Sequence, residues 1–184
     1  FTEVESEYFQ TIFKGIPGVN PLFKSASTAT SLLLELYIAQ KSELRCELAT
    51  TAISVSISID GWTSPTRCAA IVAHWITGEW EAREAVLHIA ELPGSHTGVA
   101  LAQEVLTCLR FYDIKKKLVA ITSDNASNNA ALVHKLERLL MPRQRSVEKP
   151  AMVPNKILFR GQASWVRCLA HSLNLVVKEV LNGL

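Results

Sequence analysis

The sequence predicts an α/β fold: a mixed sheet in the order β β β α β α β α, preceded by a helical N-terminal segment. Three observations predict it. "ISVSISID" (53–60) alternates strictly, with Ile53, Val55, Ile57 and Ile59 on one face and Ser54, Ser56, Ser58 and Asp60 on the other, the period of a half-buried strand. "KKLVAITS" (116–123) is nearly continuously apolar after its lysines, as expected of a central strand covered on both faces. Three extended segments precede the first of two strand–helix units, so an antiparallel meander must join parallel strands in one sheet.

Each element follows from local pattern. "SEYFQTIF" (6–13) reads as a short helix, and the turn-rich "KGIPGVNP" (14–21) as a linker. Residues 22–50 carry Leu32, Leu33, Leu36, Leu44 and Leu48 at helical spacing, with Ser25, Ser27 or Thr28 as a cap, giving one long helix or two short ones. The helical segment is thus 1–50 and the sheet domain 51–184. After the strand at 53–60, the Asp-Gly and Pro of "DGWTSPTR" (60–67) predict a hairpin turn into the strand "RCAAIVAHWI" (67–76). A third strand spans 81–92 and ends at Pro93 and Gly94. Val99, Leu101, Ala102, Val105, Leu106 and Leu109 recur every three or four positions in an amphipathic helix over 97–111. A second such helix covers 125–140. Residues 141–162, with three prolines and alternating charge, read as a flexible loop. A short strand (163–170) and a helix (171–181) complete the order.

Composition narrows the class. With 48% hydrophobic and 20% charged residues, the 184-residue chain buries a substantial core. No apolar run approaches the roughly 20 residues of a membrane helix, so no membrane partner is expected. Cys46, Cys68, Cys108 and Cys168 stand singly in apolar surroundings, which suits reduced, buried thiols in a cytosolic or nuclear compartment. A net charge of +2 is too small to argue for nucleic acid by itself. Lys115, Lys116, Lys117, Arg143 and Arg145 are either solvated surface charge or contacts to DNA phosphates.

The chemistry gathers at two strand ends. Right-handed crossovers place the strand ending at Asp124 beside the one ending at Asp60, at the sheet edge where ligands of open α/β sheets bind. Two carboxylates there suit Mg²⁺ or Mn²⁺, hard cations that take oxygen ligands, and a third acidic ligand is normally needed to hold two ions. Each residue has a plainer role open to it. Asp60 can serve the Asp-Gly turn, and Asp124 can cap the following helix. Ser123 and Asn125 can do that capping too, leaving Asp124 free. Trp62 either stacks on a splayed base or covers the core edge. Trp75, Trp80 and Trp165 are assigned to packing. Cys168 and His171 do not make a zinc site, because a tetrahedral site needs about four ligands and no second pair has suitable spacing.

Taken together, "SISIDGWTSPTRCAAIVAHWI", "LPGSHTGVALAQEVLTCL", "VAITSDNASNNAALVHKL" and "WVRCLAHSLNLVVKEVL" resemble, in order, the catalytic region of hAT-family DNA transposases. The blocks match its strand-ending Asp-x-Trp-Thr-Ser, its His-Thr-Gly, its Asp-Asn-Ala-x-Asn-Asn and its Cys-x-x-His-x-x-Asn-Leu. The resemblance covers residues 53–184, and the helical 1–50 is similar to the segment before that region.

The resemblance implies an RNase H-like fold in which two Asp and one Glu bind divalent metal for DNA cleavage and strand transfer. Matched by motif, the aspartates are Asp60 and Asp124. The family's Glu follows a large helical insertion after the Cys-x-x-His motif; neither Glu179 nor Glu148 matches it, so the third acid is not found. Asn125, Asn128, Asn129, Cys168, His171 and Asn174 belong to the matched motifs. The resemblance sets His171 beside the catalytic pocket, as a contact to DNA or to a carboxylate where it does not simply cap or pack, and His96 before the first core helix, as a neighbour of DNA or a helix-entry hydrogen-bonding group. The expectation is a nuclear transposase core fragment or domesticated derivative, with DNA as partner, a homo-oligomer or protein partner besides, and little cleavage activity alone. The alternative is a non-catalytic DNA- or protein-binding module on the same fold.

Overall fold

The computed structural model describes residues 2–14, 16, 25–64, 66–91, 97–141 and 157–183. They form two compact units, Phe1–Cys46 and Glu47–Leu184. In the first, a 3₁₀ turn at Thr2–Glu5 leads into helix α1 (Glu7–Lys14), where the Ser6 hydroxyl accepts from the Phe9 amide at 3.2 Å. Helix α2 runs unbroken over Ala26–Thr51. Ser25 caps it by accepting from the Thr28 amide at 3.1 Å, which satisfies a donor that the helix start leaves orphaned. Leu32, Leu33 and Leu36 on α2 are exposed, whereas Leu48, in the second unit, is fully buried.

The second unit is a five-stranded mixed sheet, consistent with the RNase H-like expectation. Its strands are β1 (Val55–Ser64), β2 (Thr66–Ile76), β3 (Ala82–Glu91), β4 (Leu118–Ser123) and β5 (Trp165–Arg167). They lie in the order β3-β2-β1-β4-β5. The β1–β2 and β2–β3 pairs are antiparallel; β1–β4 and β4–β5 are parallel. Helices α3 (Gly98–Phe111), α4 (Ser127–Leu140) and α5 (Leu169–Asn182) alternate with the later strands.

Alternation along the central strands divides the sheet into two faces. Val55, Ile57 and Ile59 of β1 are buried together with Ala69, Ile71, Ala73 and Trp75 of β2, and with Leu106 and Leu109 of α3 and Leu132 and Leu136 of α4. Burial contributes about 1.5–3 kcal/mol for each large apolar side chain, so this face holds the unit together. An irregularity of β2–β3 register at Ile71/Val72 lets consecutive residues of β3 turn toward it: Leu87 is buried, and His88 meets Glu104 of α3 at 3.7 Å. Gly98 lets α3 and α4 touch; a Cβ there would lie 2.1 Å from the Asn128 carbonyl oxygen. Ser56, Ser58 and Asp60 occupy the other face of β1.

Several boundaries depart from expectation. Ile53 is 82% exposed in a bend before β1, because pairing starts only where Val55 N–H donates to Lys117 O at 2.8 Å. β5 shrinks to three residues, after a 3₁₀ turn at Gly161–Ser164, and α5 starts two residues early. Residues 142–156 lie outside the described residues; from Ile157 onward the chain is described, with Phe159 fully buried. Of the four cysteines expected to be buried, only Cys108 is, Cys46 being exposed and Cys68 and Cys168 half-buried.

Candidate functional site: the carboxyl ends of β1 and β4

The first aspartate belongs to a strand, not to a turn. β1 continues through "DGWTS", with Asp60 opposite Ala70 and Gly61 opposite Ala69, and the chain reverses only between Ser64 and Thr66. Tertiary pairing overrides the turn propensity of Asp-Gly. The turn role open to Asp60 in sequence is therefore removed, and its exposed carboxylate is left without a local structural task.

The second aspartate is level with it. The parallel register runs Ile57↔Ile121 and Ser58↔Thr122, so Asp60 and Asp124 each stand two residues beyond the last pair. Asp60 continues the alternation of β1 on the Ser58 face, and Asp124 directly follows the last residue of β4.

Asp124 turns out to organise the helix start itself. Its Oδ1 accepts from the Ala126 amide at 3.0 Å and from Asn129 Nδ2 at 2.5 Å, while no side chain of the helix-capping residue Ala126 takes part. Of the three residues open to that task, Asp124 takes it, and Ser123 and Asn125 do not. Ser123 is engaged elsewhere: its hydroxyl donates to Asp124 O at 3.3 Å and accepts from Trp165 Nε1 at 2.9 Å, and its carbonyl accepts from Cys168 N–H at 2.8 Å. The Asn125 side-chain oxygen Oδ1 is buried without a partner. Cap and ligand are thus compatible roles, because the two bonds to Asp124 fix Oδ1 and leave Oδ2 for another donor or a cation. Asn128 is exposed at the first turn of α4.

The remaining candidates divide. Trp62, 41% exposed and two residues beyond Asp60, shares its face and is no core residue. Trp75 is buried, whereas Trp80, assigned to packing, is exposed with φ 64°. Trp165 ties β5 to Ser123 and lies under the Arg167 guanidinium at 5.6 Å. Half-buried Cys168 precedes α5 and accepts from Ser172 Oγ at 3.1 Å; His171 is half-buried and Asn174 exposed on the same helix. Lys115, Lys116 and Lys117 precede β4, at the opposite end of that strand from Asp124, and Lys117 Nζ donates to Leu48 O at 2.7 Å and Ala49 O at 2.9 Å. Lys117 is therefore a helix C-cap. His96, Arg143, Arg145 and Glu148 lie outside the described residues. Among the described residues, no group of three or more His, Cys, Asp or Glu side chains could hold a metal ion.

Sequence reasoning missed a polar chain on the open face. Ser58 Oγ lies 2.9 Å from His74 Nε2, and His74 Nδ1 lies 3.5 Å from Glu84 Oε2. A cavity of about 530 Å³ opens beside it, lined in part by Ser54, Ser56, His74, Arg83 and Glu84. Glu81, hydrogen-bonded to Arg83 at 2.7 Å, holds that guanidinium above its ordinary pKa. Only the alternation of β2, which sets His74 on the side away from Trp75, hinted at this arrangement.

Comparison with known proteins gives the following matches. Residues 58–151 match the family model of the ZBED1 RNase-like domain. The chain is similar to the putative AC transposase of Zea mays, 31% identical over 98% of this chain and 21% of that protein. It is similar to the putative transcriptional regulator tpeD of Talaromyces stipitatus, 31% identical over 88% of this chain and 18% of that protein. The zinc finger BED domain-containing protein RICESLEEPER 2 of Oryza sativa subsp. japonica is 24% identical over 90% of this chain and 22% of that protein. The chain spans about a fifth of the length of these relatives.

Proposed function

The chain belongs to the ZBED1 RNase-like domain family and is an hAT-family transposase-like domain, and from that premise we propose that Asp60 and Asp124 are two of the carboxylates of a divalent-metal centre acting on DNA phosphodiesters. The observation that supports this reading is the β1–β4 register, whose last pair, Ser58↔Thr122, stands two residues before each aspartate. Asp60 would supply an unencumbered carboxylate and Asp124 its Oδ2, its other oxygen being fixed by Ala126 and Asn129. Bound Mg²⁺ or Mn²⁺ supplies activation of a water or hydroxyl nucleophile and stabilisation of the leaving oxygen in DNA cleavage and strand transfer. The chain's own contribution is to hold the two oxygen donors on rigid strand ends, with Trp62 beside them as a surface for a base. Nuclear localisation and a DNA partner follow from this reading.

With two carboxylates the centre binds one ion weakly and cleaves slowly. Titration calorimetry with Mn²⁺ and a nicking assay on supercoiled DNA test it. Weak single-ion binding that disappears in Asp60→Asn and in Asp124→Asn supports the proposal; binding unchanged by either substitution sinks it. The absence of a third acidic partner among the described residues favours one second reading, a non-catalytic module that keeps the fold to contact DNA or protein. That reading requires DNA or protein binding without any metal-dependent nicking.

A further inference from the structure

We propose that Arg167 is an anchor for a DNA phosphate at the sheet edge that carries Asp60 and Asp124, a contact that rests on the reading of those aspartates as a centre acting on DNA. Strand register places it there. Thr122 of β4 pairs with Ser58 of β1 on one side and with Val166 of β5 on the other, so these three residues form one row across the sheet. Asp60 and Asp124 stand two residues beyond that row, and Arg167, paired with Ser123, stands one beyond it. Adjacent strands are about 4.8 Å apart, which puts the Arg167 backbone one strand spacing from the strand that ends in Asp124.

The side chain is exposed but not loose. Its guanidinium lies 5.6 Å from the centre of the Trp165 ring, and that ring is fixed in turn by the bond from Trp165 Nε1 to the hydroxyl of buried Ser123 at 2.9 Å. The Cys168 amide, donating to Ser123 O at 2.8 Å, ties the next residue of the chain to the end of β4. A cation–π contact holds the plane of a guanidinium without neutralising its charge, and the N–H groups along its edge stay open to the paired oxygens of a phosphate.

The charge has no counterpart in the fold. Among the described residues no carboxylate forms an ion pair with Arg167, and the Asp124 Oδ1 atom is bonded to Ala126 and Asn129 instead. Two carboxylates at one edge repel a polyanion, so a DNA strand brought to them needs a fixed cation at the same edge. Lys115, Lys116 and Lys117 cannot supply it, because they precede β4 at its other end. An arginine that only shielded Trp165 from water would serve equally well anywhere along the sheet; this one stands at the end where the phosphodiester must lie.

The test is binding of the whole chain to a fluorescent DNA duplex, read by anisotropy in EDTA over a series of salt concentrations. Arg167→Ala is expected to lower the slope of log K against log salt by about 0.9. Arg167→Lys keeps the slope, because the charge remains, but binds about fivefold more weakly, because an ammonium neither stacks flat nor donates in pairs. Arg110→Ala removes an equal charge from the last turn of α3, which leads into the opposite end of β4, and leaves slope and affinity unchanged. A wild-type chain that binds no DNA, a slope unchanged in Arg167→Ala, or an equal loss in Arg110→Ala overturns the proposal. Because EDTA strips divalent ions, the slope is independent of any metal at Asp60 and Asp124. An unchanged slope with Mn²⁺ binding intact removes the anchor alone, whereas a lowered slope without Mn²⁺ binding supports the anchor and removes the metal centre.

Discussion

The two faces of the β1–β2–β4 sheet are made from alternate residues of the same strands, yet they do different work. On the covered face Val55, Ile57, Ile59, Ile71 and Ile121 are all buried; on the open face stand Ser56, Ser58, Asp60, Thr122 and His74. The period of two separates stability from chemistry residue by residue. A shift of one residue in register would exchange them.

Substitution on the covered face should give the largest effect. Ile57→Ala, at a fully buried position, is expected to cost about 2–5 kcal/mol in a urea unfolding experiment. A cost below that of an exposed alanine substitution would mean that the face is not the core. Next comes Gly98→Ala, which forces α3 from α4 and should cost about 1–3 kcal/mol; a neutral result would show that the helices are not in backbone contact. Asn129→Ala breaks one of the two bonds to Asp124 Oδ1 and should cost about 1 kcal/mol, with Mn²⁺ affinity falling at the same time because the carboxylate turns more freely. Stability lost without any change in affinity would assign Asn129 to the helix start alone. The smallest stability effect belongs to Asp60→Asn on the open face, within about 0.5 kcal/mol, with Mn²⁺ binding abolished. Substantial destabilisation there would contradict the division between the faces.

The division itself was legible in sequence, because "ISVSISID" and the apolar run ending at Ser123 carry it in their periods, and the crossover rule placed β1 beside β4. Boundaries set by a partner strand were not legible. Ile53 continues the alternation but has no partner, since β4-side pairing begins at Val55, and β5 is limited to the stretch that matches Ile121–Ser123. Asp-Gly favours a turn locally, and only pairing with Ala69 and Ala70 reveals a strand. At Asp124 the residue types announced a helix start, but the bond from Asn129 spans five positions and a turn of helix, so no short-range rule could choose it over Asn125. The Ser58–His74–Glu84 chain was hidden for the same reason: it exists only across three registers.

One consequence of strand length concerns mechanics. β4 accompanies β1 only as far as Ser58, whereas β2 stays with it to Ser64, so the hairpin overhangs its parallel neighbour by six residues, roughly 20 Å of chain. Asp124 is moored at the root of this cantilever by Asn129 and Ala126; Asp60 rides on the beam, and Trp62 farther out. Across β2 the edge strand β3 backs the beam as far as Trp62, through Ala70↔Ile89 and Cys68↔Glu91, so the stiffness at Asp60 comes from the side of the sheet that carries no site residue.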